Sequence, residues 1–132
     1  MLYSIYLILT NKIPGEFAVI TFGSVTGAVR EAVARAAAEG VKVRLVALRL
    51  LAPVQPARYA EALAGVSQVL VVEQNHGAQF YRYLRAWFDL PGRPESFHRP
   101  GPLPLKPAEL ADAIVAAAGR ISGARGRPTV SV

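Results

Sequence analysis

No cysteine occurs among the 132 residues, and this one absence removes disulfides, thiolate nucleophiles, zinc–thiolate sites and iron–sulfur ligation. Any redox chemistry must come from another chain. A long hydrophobic run is missing too. Leu2–Leu9 is the one candidate; it lacks a basic flank and a small-residue cleavage site, and it is well short of the ~20 apolar residues of a membrane span. A cytoplasmic protein with no membrane partner is expected. There is no Gly-x-Gly-x-x-Gly dinucleotide turn, no Lys-bearing phosphate loop and no Gly-x-Ser-x-Gly nucleophile elbow, so the chain is chemically poor on its own. Charged residues are sparse at 18% against 52% hydrophobic, the balance of a core former rather than a disordered chain.

The charge that is present leans positive. The net value is +6, but the arginines are dispersed, and only Arg120–Arg127 is locally dense. Solvated surface and contact with an acidic partner protein fit this distribution better than nucleic acid does. At 14.1 kDa the chain suits one domain over residues 1–132, with a core at about 16–119, an edge strand and turn in 1–15 and a tail in 120–132.

Hydrophobic periodicity predicts the elements. Ala18–Thr21 reads as a strand, followed by a helix from about Ala28 to Glu39 that buries Val29, Val33 and Ala36/Ala37, pairs Glu31 with Arg35 and stops at Gly40. Val41–Leu51 reads as a second strand, and Pro53 and Pro56 open a short helix with Tyr59 and Leu63 inward and Gly65 as its cap. Gln68–Glu73, apolar from Val69 to Val72, reads as the central strand of a sheet covered on both faces. Phe80, Tyr83, Leu84, Trp87 and Phe88 form one helical stripe, read as core. The Pro- and Gly-rich stretch Pro91–Pro107 allows at most a short strand near Ser96–His98, and the last helix runs from Pro107 to Gly119, burying Leu110, Ile114 and Ala117. Leu2–Leu9 adds an edge strand, antiparallel to Ala18–Thr21 after a turn at Asn11–Gly15. The order predicts an α/β fold, a three-layer α/β/α sandwich with a mainly parallel, mixed sheet.

Two strand-end turns carry the functional information, because open α/β sheets place ligands and partners at the carboxyl ends of their strands. Gly23, Ser24, Val25, Thr26 and Gly27 form a candidate anion-binding helix start; the bland alternative is a helix capped by Ser24 or Thr26. At the second turn, Glu73 and His76 would make a general acid–base pair if folded together. The structural alternative has Glu73 accepting backbone N–H bonds or pairing with a subunit, Asn75 capping the next helix and Gly77 adopting a left-handed or close-packed conformation. Nothing in the sequence brings His98, the other histidine, to His76, so no metal site is expected.

Val19-Ile20-Thr21-Phe22-Gly23-Ser24, Gly40-Val41-Lys42-Val43, Leu48-Arg49-Leu50-Leu51-Ala52-Pro53, Val71-Val72-Glu73-Gln74-Asn75-His76-Gly77-Ala78-Gln79 and Pro107-Ala108-Glu109-Leu110, in this order and spacing, resemble the transketolase C-terminal-like domain of the α subunit of 2-oxoacid:ferredoxin oxidoreductases. The resemblance implies a transketolase C-terminal-domain-like fold in a complex that decarboxylates a 2-oxoacid on thiamine diphosphate, passes electrons through iron–sulfur clusters to ferredoxin and forms an acyl-coenzyme A. It implies no catalytic residue and no cofactor in this chain, with thiamine diphosphate, magnesium and clusters on partner chains. Glu73, Gln74, Asn75, His76, Gly77 and Gln79 become subunit-interface candidates. The family would carry a long upstream chain and a Gly-Asp-Gly thiamine motif, neither of which stands in these residues. A separately encoded subunit, a remnant of a split gene and a detached domain are the readings left open. A stand-alone anion- or nucleotide-binding module and a homo-oligomer without enzyme activity are the alternatives of other classes.

Overall fold

The computed structural model describes residues 8–10, 17–48 and 56–126. The expected turn at Asn11–Gly15, the residues before Ile8, the end of the second expected strand and the last six residues lie outside them. The elements are β1 (Ile8–Thr10), β2 (Phe17–Phe22), a 3₁₀ turn (Gly23–Val25), α1 (Thr26–Ala38), β3 (Arg44–Leu48), α2 (Pro56–Ala62), β4 (Gln68–Glu73), α3 (Gln79–Trp87), β5 (Glu95–His98) and α4 (Pro107–Gly126). They build a five-stranded sheet of order β1-β3-β2-β4-β5. Strands β2 to β5 are parallel, and β1 alone is antiparallel.

Strand parity sorts the side chains into two layers. Phe17 and Val19 of β2, Leu45 of β3, and Leu70 and Val72 of β4 pack with Val29, Val33 and Ala36 of α1 and with Leu110, Ile114 and Ala117 of α4. Their neighbours Ala18, Ile20, Val46, Leu48, Val69 and Val71 pack with Tyr59 and Leu63 of the α2 region and Phe80 and Leu84 of α3. The three-layer sandwich with a mixed sheet is therefore the architecture formed. None of the helices among the described residues is long and apolar enough to cross a membrane.

Several expectations need correction. The edge strand pairs with β3, Ile8 opposite Leu48 and Thr10 opposite Val46, and not with β2. Both sides of β2 are already taken by β3 and β4, which leaves the outer side of β3 as the open place. For the same reason β2, not β4, is the middle strand, although β4 is buried on both faces. Val41 belongs to the end of α1: its N–H bonds the Ala36 carbonyl at 2.9 Å and that of Gly40 bonds Ala37 at 3.0 Å, a Schellman closure with Gly40 at φ +88°. In α1 the fourth buried position is Ala32, and Ala37 is exposed. Helix α4 passes Gly119 and ends at Gly126. Gly119 is not in the left-handed region, so it lowers helix propensity by ~1 kcal/mol without ending the helix.

The segment after α3 is stapled to the start of β4. The Gln68 side chain donates to the Arg93 carbonyl and accepts from the Arg93 N–H at 3.3 Å. Gly92 sits between them at φ +68°, and a Cβ there would overlap the Ser67 carbonyl oxygen. Gly92→Ala should cost about 3 kcal/mol, from left-handed strain and overpacking together. Urea denaturation checks this; an unchanged midpoint would mean that the segment moves aside freely.

Candidate functional site

The strand order reverses direction at β2. The chain passes from β2 through α1 to β3 on one side, then returns through α2 to β4 on the other. The carboxyl ends of β2 and β4 thus flank the topological switch point, where doubly wound sheets open a crevice. Both sequence-predicted turns leave from these two strand ends.

Here the crevice is filled by the chain itself. The regular β2–β4 ladder ends at Ile20 opposite Val71. One residue further, Thr21 is fully buried and its hydroxyl donates to the Val72 carbonyl at 3.0 Å. The hydroxyl thereby satisfies a polar group that the diverging strands would leave unpaired. Next to it the Phe22 ring meets Phe80 of α3, centroids 4.4 Å apart and tilted by 47°, an aromatic contact that adds to apolar burial. These contacts join the two turns.

Glu73 ends β4 with only 1% of its surface exposed. One carboxylate oxygen accepts the Phe80 N–H at 2.8 Å and the other accepts the Tyr81 N–H at 2.8 Å. The Asn75 amide donates to the same carboxylate, while its own oxygen accepts the N–H groups of Gly77 and Gln79 at 3.1 Å each. The orphan donors at the start of α3 are therefore met by two side chains from before the helix. A negative charge at the positive end of a helix dipole is the favourable sense. Backbone-accepting Glu73 and capping Asn75 are what the structural alternative required. His76, in contrast, is exposed, and no hydrogen bond unites it with Glu73 as an acid–base pair. The left-handed residue of this turn is Ala78, at φ +50°, and not Gly77.

The remaining candidates divide by exposure. Gln74 is half-buried, and its amide donates to the Leu103 carbonyl at 2.6 Å; Gly77 is half-buried and Gln79 exposed. At the first turn Gly23 lies at φ +69° with open space where a Cβ would stand, so conformation alone requires glycine there. Val25 is buried, Ser24 and Gly27 are exposed and Thr26 is half-buried. No side chain caps either the 3₁₀ turn or α1, which corrects the capping role expected of Ser24 or Thr26. Nothing further gathers there, and among the described residues no three His, Asp or Glu side chains group as a metal site.

Sequence reasoning missed the clamp behind this edge. Arg99 makes a two-point bond to Glu109 and donates to the Pro104 carbonyl at 3.2 Å, and Glu109 also accepts the Lys106 N–H at 2.8 Å. Hydrogen bonds from Arg99 and then from Lys106 hold the Glu109 carboxyl below the usual carboxylate range. The available signal was Pro107 followed by Glu109, the first-turn pattern of a helix whose third residue reaches back to its cap.

Known proteins resemble this chain in sequence and fold. The family described as pyruvate:ferredoxin oxidoreductase core domain II matches residues 15–86. The α subunit of 2-oxoacid:ferredoxin oxidoreductase 2 from Aeropyrum pernix is 35% identical over 79 residues, which are 60% of this chain and 12% of that one. The 2-oxoglutarate:ferredoxin oxidoreductase from Magnetococcus marinus, solved with 2-oxoglutarate, coenzyme A and succinyl-CoA, superposes with a TM-score of 0.75 at 31% identity, over 83% of this chain and 19% of that chain. A transketolase from Pichia stipitis shares the fold, with a TM-score of 0.65 at 14% identity over 91% of this chain and 19% of its own. A split-gene transketolase described as an inactive β4 tetramer does so with 0.63 at 16%, over 85% and 41%.

The two special features of the second turn act in opposite directions. Glu73→Ala should lose about 3 kcal/mol, because two helix-start donors become unsatisfied in a buried place. Ala78→Gly should gain about 1 kcal/mol by relieving left-handed strain. Thermal and urea melts measure both; equal losses for the two variants would contradict the assignment.

Proposed function

The chain belongs to the pyruvate:ferredoxin oxidoreductase core domain II family, and from that premise we propose that it is a non-catalytic assembly domain of a thiamine-diphosphate-dependent 2-oxoacid:ferredoxin oxidoreductase, acting through contact with other domains or subunits. The observation that carries this reading is the state of the strand-end crevice. Thr21, Glu73 and Asn75, the polar groups that a catalytic site would use, are engaged by the chain's own backbone, and Phe22 and Phe80 pack across the opening.

The donor set supports the same reading. With no cysteine the chain offers no thiolate to an iron–sulfur cluster, and Glu73, the buried acid of the crevice, has its oxygens directed at amides rather than at a cation site. These residues do not fit thiamine diphosphate, magnesium or a cluster, and all three are assigned to partner chains. The ligands of the Magnetococcus marinus enzyme, 2-oxoglutarate and succinyl-CoA, support oxidative decarboxylation of a 2-oxoacid to an acyl-CoA by the complete complex. The chain spans only 19% of that relative and 12% of the Aeropyrum pernix subunit, which is the proportion of one part in a larger assembly.

Calorimetric titration with thiamine diphosphate and magnesium, together with 2-oxoacid-dependent dye reduction, tests the proposal. The full chain alone should give neither binding nor turnover. Mixed with the other oxidoreductase subunits of its own organism, it should raise the activity of the complex. Turnover by the chain alone, or an activity indifferent to its omission, would contradict the proposal.

A further inference from the structure

Strand β5 ends the sheet. In the order β1-β3-β2-β4-β5 its one neighbour is β4, so every second residue of Glu95–His98 turns its N–H and C=O outward, where no described strand meets them. Such a row is a template for one more strand unless shortness, charge or cover guards it. β5 is short, at four residues, and the charge beside it has one sign on one face.

Register sorts the side chains of β5. Glu95 stands opposite Leu70 and Phe97 opposite Val72, on the side of α1 and α4, where Arg120 holds Glu95 by a two-point bond. Ser96 and His98 stand opposite Val71 and Glu73, on the side of α3, with the Ser96 hydroxyl 2.9 Å from His98 Nδ1. Helix α3 brings arginines to that same side. The Tyr81 hydroxyl donates to the carbonyl of Pro94, just before β5, at 3.1 Å, and Arg85 donates to the Tyr81 hydroxyl at 3.0 Å with its guanidinium 5.7 Å from the ring centre. Arg93 stands two residues before β5, and Arg82 lies one helical turn before Arg85; all three arginines are exposed. Helix α3 contains no acid, and the ion pairs found among the described residues involve none of Arg82, Arg85 and Arg93. The one carboxylate of β5 is thus turned to the opposite face, and the α3 side of the edge is basic.

That charge selects the occupant. A second copy adding its own β5 about a two-fold axis would set like faces side by side and bring these arginines against their counterparts, which like-charge repulsion opposes. An acidic strand meets the same face with attraction and completes the unmet ladder. Resting on the assembly reading above, we propose that β5 is an interface strand, to whose free edge an extended acidic segment of another oxidoreductase subunit adds, its carboxylates toward Arg85, Arg93 and His98. Main-chain bonds along β5 supply the affinity, and the basic side chains choose the partner.

Hydrogen exchange read by mass spectrometry tests the ladder, and charge reversal tests the selection. The full chain is mixed with the recombinant oxidoreductase subunits of the same organism, at low and at high salt. Trp87, expected in the core, is instead 58% exposed beside α2, so peptides over residues 56–66 and 87–91 report a contrasting surface. The expected result is new protection of residues 95–98 in the complex, little change in the contrasting peptides, and a Kd that rises with salt. Arg85→Glu with Arg93→Glu should raise Kd roughly tenfold or more, whereas Arg30→Glu with Lys42→Glu, the same change of net charge on the other face, should leave it within about twofold, all proteins melting alike. Binding that leaves residues 95–98 unprotected, or a Kd indifferent to which face is reversed, would overturn this interface and leave the assembly reading intact. Slow exchange of residues 95–98 in the chain alone would make its own residues the occupant, and protection that grows with the chain's own concentration would make a second copy the occupant; either overturns the proposal. No binding by the wild type would overturn both readings.

Discussion

A carboxylate buried at the end of an inner strand holds this fold together at the carboxyl edge of its sheet. Desolvating a charge is costly unless hydrogen bonds or opposite charge compensate. Glu73 has its compensation in the amides of Phe80 and Tyr81 and in the Asn75 side chain, while the ion pairs found among the described residues lie elsewhere, at Arg35–Glu31, Arg99–Glu109 and Arg120–Glu95. The charge and the helix start therefore depend on each other: without α3 the carboxylate would be stranded, and without the carboxylate the first turn of α3 would carry unsatisfied donors.

The position of α3 then fixes much else. Its first turn presses Phe80 on Phe22, sealing β2 against β4; Tyr81 reaches the Pro94 carbonyl at 3.1 Å and ties α3 to the approach of β5. Its far end delivers Trp87 to the opposite edge of the sheet. One edge of the molecule is thus closed by its own hydrogen bonds, and the other presents apolar surface. The assembly reading proposed above rests on that polarity, and this fold is a fraction of the longer chains it matches.

The architecture was legible because two periodicities were clean. Val69–Val72 announced a strand covered on both faces, and Val29, Val33 and Ala36 announced the face of a helix, so the layers followed. Strand order was less legible: the pairing of β1 with β3 depends on which edge remains open after the parallel strands have assembled, a property of the whole sheet. Helix ends were misread where one residue type carries two meanings. Gly40 stops α1 through a positive φ, whereas Gly119 has no such conformation and α4 continues. At the site, Glu73 and Asn75 were readable as helix-capping acceptors from their place between a strand and a helix. The bond from Thr21 to Val72 was not, since it joins residues that only the folded sheet brings together; nor was the 58% exposure of Trp87, since it follows from where α3 stops.

Amide hydrogen exchange at Phe80 and Tyr81 tests the central interaction without altering any residue. If the buried Glu73 carboxylate anchors α3 to β4, both amides exchange only through global unfolding, as slowly as the amides of Val71 and Val72 in the inner strand. Exchange of Phe80 and Tyr81 at the rate of an exposed loop, with β4 still protected, would show that the carboxylate does not hold the helix and would contradict the account.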